Sequence, residues 1–323
     1  MSDGQVDVSV YMLTYYHEKY LEEAIKSVLS QKTKYKYELI ISDDCSKDGT
    51  VDILKQYEAE YPEIISVNYN SQNLGIPQNM YQTRCRCKGR YIVPLSGDDY
   101  WIDERKIEKQ ASFLDEHLEY LAVFNCCELR VDESKKPYET MPPQEFRGKD
   151  YSLKDYEQGR TVPSHGFMMR NEFLTEEGRK YFRRAQEISK YVDDAVDTVL
   201  LLKRGKTYVL DNVADVHRVI RLDEVRHNYN SRYTKQEKFR HHIDIYNALE
   251  KEFGNEIDFS WWFADSFTVG FLGMVLTRDF KTYKDLFKTI PMKYKKLSSK
   301  SIYVKLIPNI MKQIIYRLKI KKK

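Results

Sequence analysis

Two pairs of adjacent aspartates, Asp43-Asp44 and Asp98-Asp99, each follow a short apolar run in the first third of the chain. Neighbouring carboxylates repel unless a cation or several N–H and O–H donors stabilise them. Hard oxygen ligands of this kind suit Mg²⁺ or Mn²⁺, ions that would bridge protein carboxylates to a diphosphate. Polar clusters at Thr14–Glu18 and Asn73–Asn79 lie at comparable positions after apolar runs. One cleft holding all four clusters would bind a polyanionic ligand, provided that the fold brings them to one edge.

The elements between the clusters satisfy that condition. Short apolar runs at Val6–Leu13, Tyr37–Ser42, Ile64–Tyr69 and Tyr91–Leu95 read as strands. Glu18–Ser30, Val51–Tyr61 and Pro77–Lys88 have helical spacing between them. Strands separated by helices of this length form parallel β-α-β units with right-handed crossovers. Ligands of such sheets bind at the carboxyl ends of the strands, where every one of the clusters falls. Beyond Trp101 the pattern is mixed. It predicts helices at Glu104–His117 and Asp193–Arg204, and strands at Leu121–Cys126, His165–Arg170 and Thr207–Leu210. Asp132–Asp150 is expected to be a surface loop, and the chain from about Tyr229 to be helical. The fold class is therefore α/β, a mostly parallel sheet flanked by helices, with a first domain over 1–228 and a helical region over 229–323.

Hydrophobic residues make up 41% and charged residues 32% of the 323, which fits a globular body rather than a disordered one. The net charge of +4 is unevenly spread. Phe280–Lys323 holds fourteen Lys and Arg against one acid, Asp285, so the remainder is net acidic. An acidic body with a basic tail does not suit nucleic acid, but it suits an anionic membrane surface. The tail Asn309–Ile320 carries Ile310, Met311, Ile314, Ile315 and Leu318 on one helical face with lysines around it. That pattern fits an interfacial helix, and equally a helix docked on its own domain. Phe259–Leu276 is apolar, yet it contains Asp265 and barely reaches the length of a span. The five cysteines show no zinc spacing and read as reduced thiols. The N-terminus shows no signal-peptide pattern, so the expected location is cytoplasmic, peripheral on the inner face of the membrane.

Four blocks in order resemble family 2 glycosyltransferases: Val8–Gln31, Glu38–Thr50, Asn73–Asn79 and Lys88–Trp101. The Gly-Asp-Asp-Tyr-Trp ending resembles the capsule and surface-polysaccharide type in particular. The resemblance implies a GT-A (Rossmann-like) fold and transfer from a nucleotide-diphosphate sugar, with uridine the commonest base. By position, Thr14, Tyr15 and Glu18 would line the nucleotide pocket, and Asp43 and Asp44 would contact base and ribose. Asn73 and Asn79 match polar residues near the ribose and phosphates. Asp98 matches the carboxylate nearest the Mn²⁺ or Mg²⁺ ion, with Asp99 beside it. Tyr191–Val213 resembles the family's later block and puts Asp194 at the general base, with Asp197 as the competing candidate one turn on. Such a base takes the proton of the acceptor hydroxyl during a single inverting displacement. The acceptor would be a saccharide, lipid-linked by analogy with the family, in surface polysaccharide synthesis.

The chain departs from the family pattern at several positions. Leu13 stands in place of proline, Tyr16 of asparagine, Cys45 of glycine and Ser96 of an acid. Ile220 occupies the place of a histidine, while His217, three residues earlier, could reach the metal or a phosphate. Arg218 and Arg221 could neutralise a diphosphate. The segment His165-Gly166 resembles the acceptor side, where a small residue would admit the acceptor. Two other readings stand beside transfer. One is a non-catalytic nucleotide-sugar binder, suggested by Ser96. The other is a metal-dependent nucleotidyltransferase, which lacks a glycine-rich phosphate loop with its lysine.

Overall fold

The computed structural model describes residues 5–131, 136–163, 166–191, 194–220 and 232–294. Contacts divide the chain into two units, one of Met1–Ser152 with Thr161–Leu222, the other of Leu153–Arg160 with Asp223–Lys323.

The first unit is built on strands too apolar to face water on either side. β1 (Val8–Thr14) and β2 (Tyr37–Asp43) are buried along almost their whole length, as expected of parallel strands covered on both faces. β3 (Ile65–Tyr69) and β4 (Tyr91–Ser96) complete a parallel group in the order β3-β2-β1-β4. Helix α1 (Leu21–Leu29) buries Leu21, Ala24, Ile25 and Val28, the i, i+3, i+4, i+7 stripe of an amphipathic helix. Acidic Glu22 and Glu23 in its first turn and Lys26 in its last suit the helix dipole. Helices α2 (Thr50–Glu60) and α3 (Ile76–Arg84) make the next two crossovers. α3 stops four residues short of the expected Lys88.

After β4 the sheet becomes mixed. β5 (Tyr100–Trp101), β6 (Tyr120–Val131), β9 (Phe167–Arg170) and β10 (Lys206–Val219) extend it in the order β4-β9-β6-β10-β5, with β9 antiparallel to both neighbours and β10 parallel to β6. α4 (Lys106–Glu116) lies between β5 and β6 in the chain, and α6 (Glu176–Ile188) and α7 (Asp194–Arg204) between β9 and β10. The expected Asp132–Asp150 loop contains two short strands in its described part, β7 (Glu139–Met141) on β6 and β8 (Lys149–Tyr151) on β10. Three-residue edge strands are too short to show an alternating pattern. β10 runs nine residues beyond the expected end at Leu210, because register irregularities between Val209 and Asp215 break its alternation.

In the second unit, α5 (Leu153–Glu157) stands with α8 (Lys235–Phe253), α9 (Ser260–Thr277) and α10 (Phe280–Thr289). Trp262 stacks between Tyr156 and Tyr246, at 4.7 and 5.6 Å between ring centres, and its indole N–H donates to the Tyr156 carbonyl. α8 starts at a capping box made by Thr234 and Glu237. Among the described residues no helix is long and apolar enough to cross a membrane. The amphipathic tail Asn309–Ile320, the helix start near Tyr229, and Asp193, His165 and Arg221 lie outside the described residues.

Candidate active site

The strand order runs β1-β2-β3 to one side while β4 lies on the other side of β1, so the crevice between β1 and β4 is a topological switch point. Thr14 ends β1 there and Ser96 ends β4. The Gly97 amide donates to the Leu13 carbonyl at 2.9 Å, closing the β4 turn against β1. A Cβ on Gly97 would lie 2.7 Å from His17 Nδ1 and 3.0 Å from Thr14 Oγ1, so the turn needs glycine. Those same two atoms are buried and lack a hydrogen-bond partner among the described residues. A buried donor or acceptor left unpaired costs about 1–3 kcal/mol, a cost that a ligand or water would relieve.

The second-strand turn is tightly self-satisfied. Asp43 accepts from Ser46 Oγ at 2.5 Å and from its amide at 2.9 Å. Burial raises the Asp43 pKa, the two Ser46 bonds oppose that, and the Asp44 and Asp48 charges add to it. Asp44 accepts from the amides of Leu74 and Gly75 at 2.8 and 3.0 Å, and from Asn70 at 3.1 Å. Its carboxylate thereby ties the second turn to the α3 entry. Asn73 donates to the Asp44 carbonyl, and Asn79 accepts from Ser42 and Asn70. Glu18 accepts from the Gly49 amide at 3.0 Å, at the start of α2. Tyr15 packs edge-on against Tyr16, 4.6 Å between ring centres. Tyr16 and Cys45 have φ of +58° and +70°, which explains why asparagine and glycine belong at these two turns.

At the β4 turn Asp98 accepts from Ser96 Oγ, and its other oxygen lies 3.8 Å from His17 Nε2. Asp99 is buried and faces β10, with one oxygen 3.0 Å from His217 Nδ1 and the other accepting the Arg218 amide at 2.8 Å. Burial works against a charged imidazole, yet the Asp99 charge and hydrogen bond, helped by Asp98 and Asp194, push His217 up to about 9. Arg218 donates to the Asp98 carbonyl at 2.6 Å, pairs with Glu23, and stacks over Tyr20 and Tyr100. It clamps the acidic turn from behind and is 7% exposed. Among the described residues no three carboxylate, imidazole or thiol groups converge to hold a metal ion. Asp98 beside His17 and His217 suits a cation only where diphosphate oxygens complete its shell.

Asp194 and Asp197 separate clearly. Asp194 is exposed in the first turn of α7, and its charge helps to raise the His217 pKa. Asp197 pairs with Arg84 at 2.5 Å, and the guanidinium in turn bonds Tyr11 Oη at 2.7 and 3.0 Å. Gly166 is small for an internal reason: a Cβ there would meet the Asn125 carbonyl at 2.9 Å and Asp215 at 3.4 Å. The sequence reading passed over His17, Ser46, and the buried trio Lys106, Asn125 and Asp215. For Lys106 a signal existed, since it lies on the apolar stripe of α4 with Ile107, Gln110, Ala111 and Leu114.

Comparison with known proteins identifies the family and the fold. Residues 9–178 match the family model described as glycosyl transferase family 2. The chain is 42% identical over 114 residues to TuaG of Bacillus subtilis, whose name assigns it to teichuronic acid biosynthesis, covering 35% of this chain and 44% of the relative. It is 40% identical over 116 residues to EpsE of the same organism, covering 36% and 41%. Alignments with the first relatives thus span less than half of their length. The fold resembles a crystal structure of Staphylococcus aureus TarS 1-349 in complex with UDP-GlcNAc. The TM-score is 0.65 at 16% identity, over 92% of this chain and 85% of that one.

Proposed function

The chain belongs to glycosyl transferase family 2, and we propose that it transfers a sugar from a nucleotide-diphosphate donor, a UDP-sugar, to a saccharide acceptor with inversion. The observation that supports this most is the meeting of two acidic segments. Asp99 bonds His217 directly and the Asp194 charge also acts on that ring, which supports a leaving-group side and a base sharing one cleft. Asp194 would take the proton of the acceptor hydroxyl as it attacks the anomeric carbon. Thr14 and Tyr15 would line the nucleotide pocket together with the Asp43-Asp44 turn. Glu18, Asn73 and Asn79 shape that pocket through the contacts described above. Asp98, and His217 once its outer nitrogen has given up its proton, would hold Mn²⁺ or Mg²⁺ with the diphosphate, and the ion would supply charge compensation for the leaving group. Asp99 orients His217, and Arg218 keeps the turn in place.

The names of TuaG and TarS support a role in surface polysaccharide synthesis; a lipid-linked acceptor is the reading the family resemblance suggests. The basic C-terminal sequence supports contact with an anionic membrane at its inner face. Division into a catalytic domain over 1–228 and a helical region over 229–323 is part of the same reading.

A thermal-shift panel of UDP, GDP, dTDP and CMP with and without Mn²⁺ tests the donor class. Ligand at about 100 times its dissociation constant stabilises by roughly 2.7 kcal/mol. A shift with UDP, larger with Mn²⁺, is expected; no shift with any nucleotide would overturn the assignment. Ser96 and the lack of a three-group metal cluster among the described residues favour one second reading, a nucleotide-sugar binder without turnover. Binding without release of UDP would identify it.

A further inference from the structure

The α4 face that packs on the sheet carries Lys106 and Gln110, both without solvent access. Lys106 Nζ lies 2.9 and 3.2 Å from the two oxygens of Asp215 and 2.8 Å from Asn125 Oδ1. Asn125 Nδ2 donates to Asp215 and closes the trio. A lysine of α4, a carboxylate of β10 and an amide of β6 thus meet inside the core. Gln110 donates to the carbonyls of Val123 and Gly166, so the entry to β9 rests on the same side of α4.

A buried ion pair adds little net stability, because desolvation offsets most of its attraction. It does penalise every arrangement that leaves one of its charges buried alone. Such arrangements are close at hand in β10. Its pairing with β6 shifts register between Val209 and Val213 and again between Val213 and Asp215, then runs regularly from Asp215 to Val219. Two bulges thus interrupt its pairing before Asp215, and a slip of one residue would turn every side chain to the opposite face. His217 lies two residues after Asp215, on the same face, and its contact with Asp99 depends on that register. β5 adds only the two pairings Asp215–Trp101 and Val216–Tyr100.

We propose that the Lys106–Asp215 pair, closed by Asn125, sets the register of β10 and so places His217 and the Arg218 amide against Asp99. Lys106 is then a positioning residue of the active site, remote from the substrate. Its link to the donor rests on the glycosyltransferase reading; the register claim does not.

Two variants of the full chain test the claim. Lys106→Met removes the ammonium that pairs with Asp215. The triple variant Lys106→Met, Asn125→Leu, Asp215→Leu replaces the three polar side chains with apolar ones of similar size. The proposal expects the triple variant to fold with a midpoint near wild type, yet to exchange its Arg218 amide at least about tenfold faster, as expected of lost local protection. The kcat should fall with the protection while KM changes less. Wild-type protection at Arg218 in the triple variant would overturn the proposal. So would failure of the triple variant to fold, since that would make the trio a stability element. Lost protection with unchanged turnover would keep the register claim and overturn its link to the active site.

Discussion

Asp194→Asn and Asp197→Asn, one helical turn apart on α7, should give opposite phenotypes. Asp197 pairs at 2.5 Å with Arg84, with side chains 15% and 5% exposed. Removing one partner of such a buried pair costs about 3–5 kcal/mol, because the other charge stays buried. In a unit of this size each kcal/mol moves the melting midpoint by about 2–4 °C, so Asp197→Asn should melt roughly 6–20 °C lower. Arg84 keeps Tyr11 Oη as an acceptor, which favours the lower part of that range. Folded Asp197→Asn should still turn over. Asp194 is exposed, and its place near the helix N-terminus contributes about 0.3–1 kcal/mol. Asp194→Asn should therefore melt within a few degrees of wild type while losing about 10²–10⁴ in turnover. Calorimetry and nucleoside-diphosphate release with donor and acceptor measure the two quantities. A stable but inactive Asp197→Asn beside an active Asp194→Asn would refute the assignment.

Other perturbations probe the turns and the charges. Gly97→Ala should lower stability by about 1–3 kcal/mol, as overpacking does, and weaken nucleotide binding, because the new methyl meets His17 and Thr14; calorimetry and UDP titration check both. Cys45→Gly should raise the melting midpoint, since φ of +70° costs a non-glycine residue about 1–2 kcal/mol; an unchanged or lower midpoint would deny that strain. Asp115 is held below the usual carboxylate range by Arg90 first, then by Tyr91 and Tyr35, against the effect of burial. A depressed carboxyl stabilises the fold above its unfolded value, near 3.9, and that stability is lost as pH falls through the folded value. Asp115→Asn should therefore flatten the loss of stability below about pH 4, as read by urea unfolding across pH.

The parallel half of the sheet was legible because buried strands are continuous apolar runs and their helices show a clean stripe. β10 was half hidden, since its bulges and the polar Asp211-Asn212 interrupt any alternation. α6 was missed although strongly amphipathic, because its few apolar positions, Phe182 and Ala185 among them, are outnumbered by charges. The acidic turns were visible in the sequence, but the partners of each aspartate were not. Asp44 holds the amides of Leu74 and Gly75, residues some thirty positions away. Family spacing put Asp194 at the base but left Asp197 as a competitor one turn on; the Arg84 contact, more than a hundred residues distant in sequence, distinguishes them.

The most direct test of the central claim is to incubate the protein with α-linked UDP-sugars, Mn²⁺ and saccharide acceptors, following UDP release and the product's anomeric configuration by NMR. Inverting transfer predicts UDP and a β-linked product from wild type, with Asp194→Asn binding UDP but forming none. Pyrophosphate release, an α-linked product, or full turnover by Asp194→Asn would contradict it.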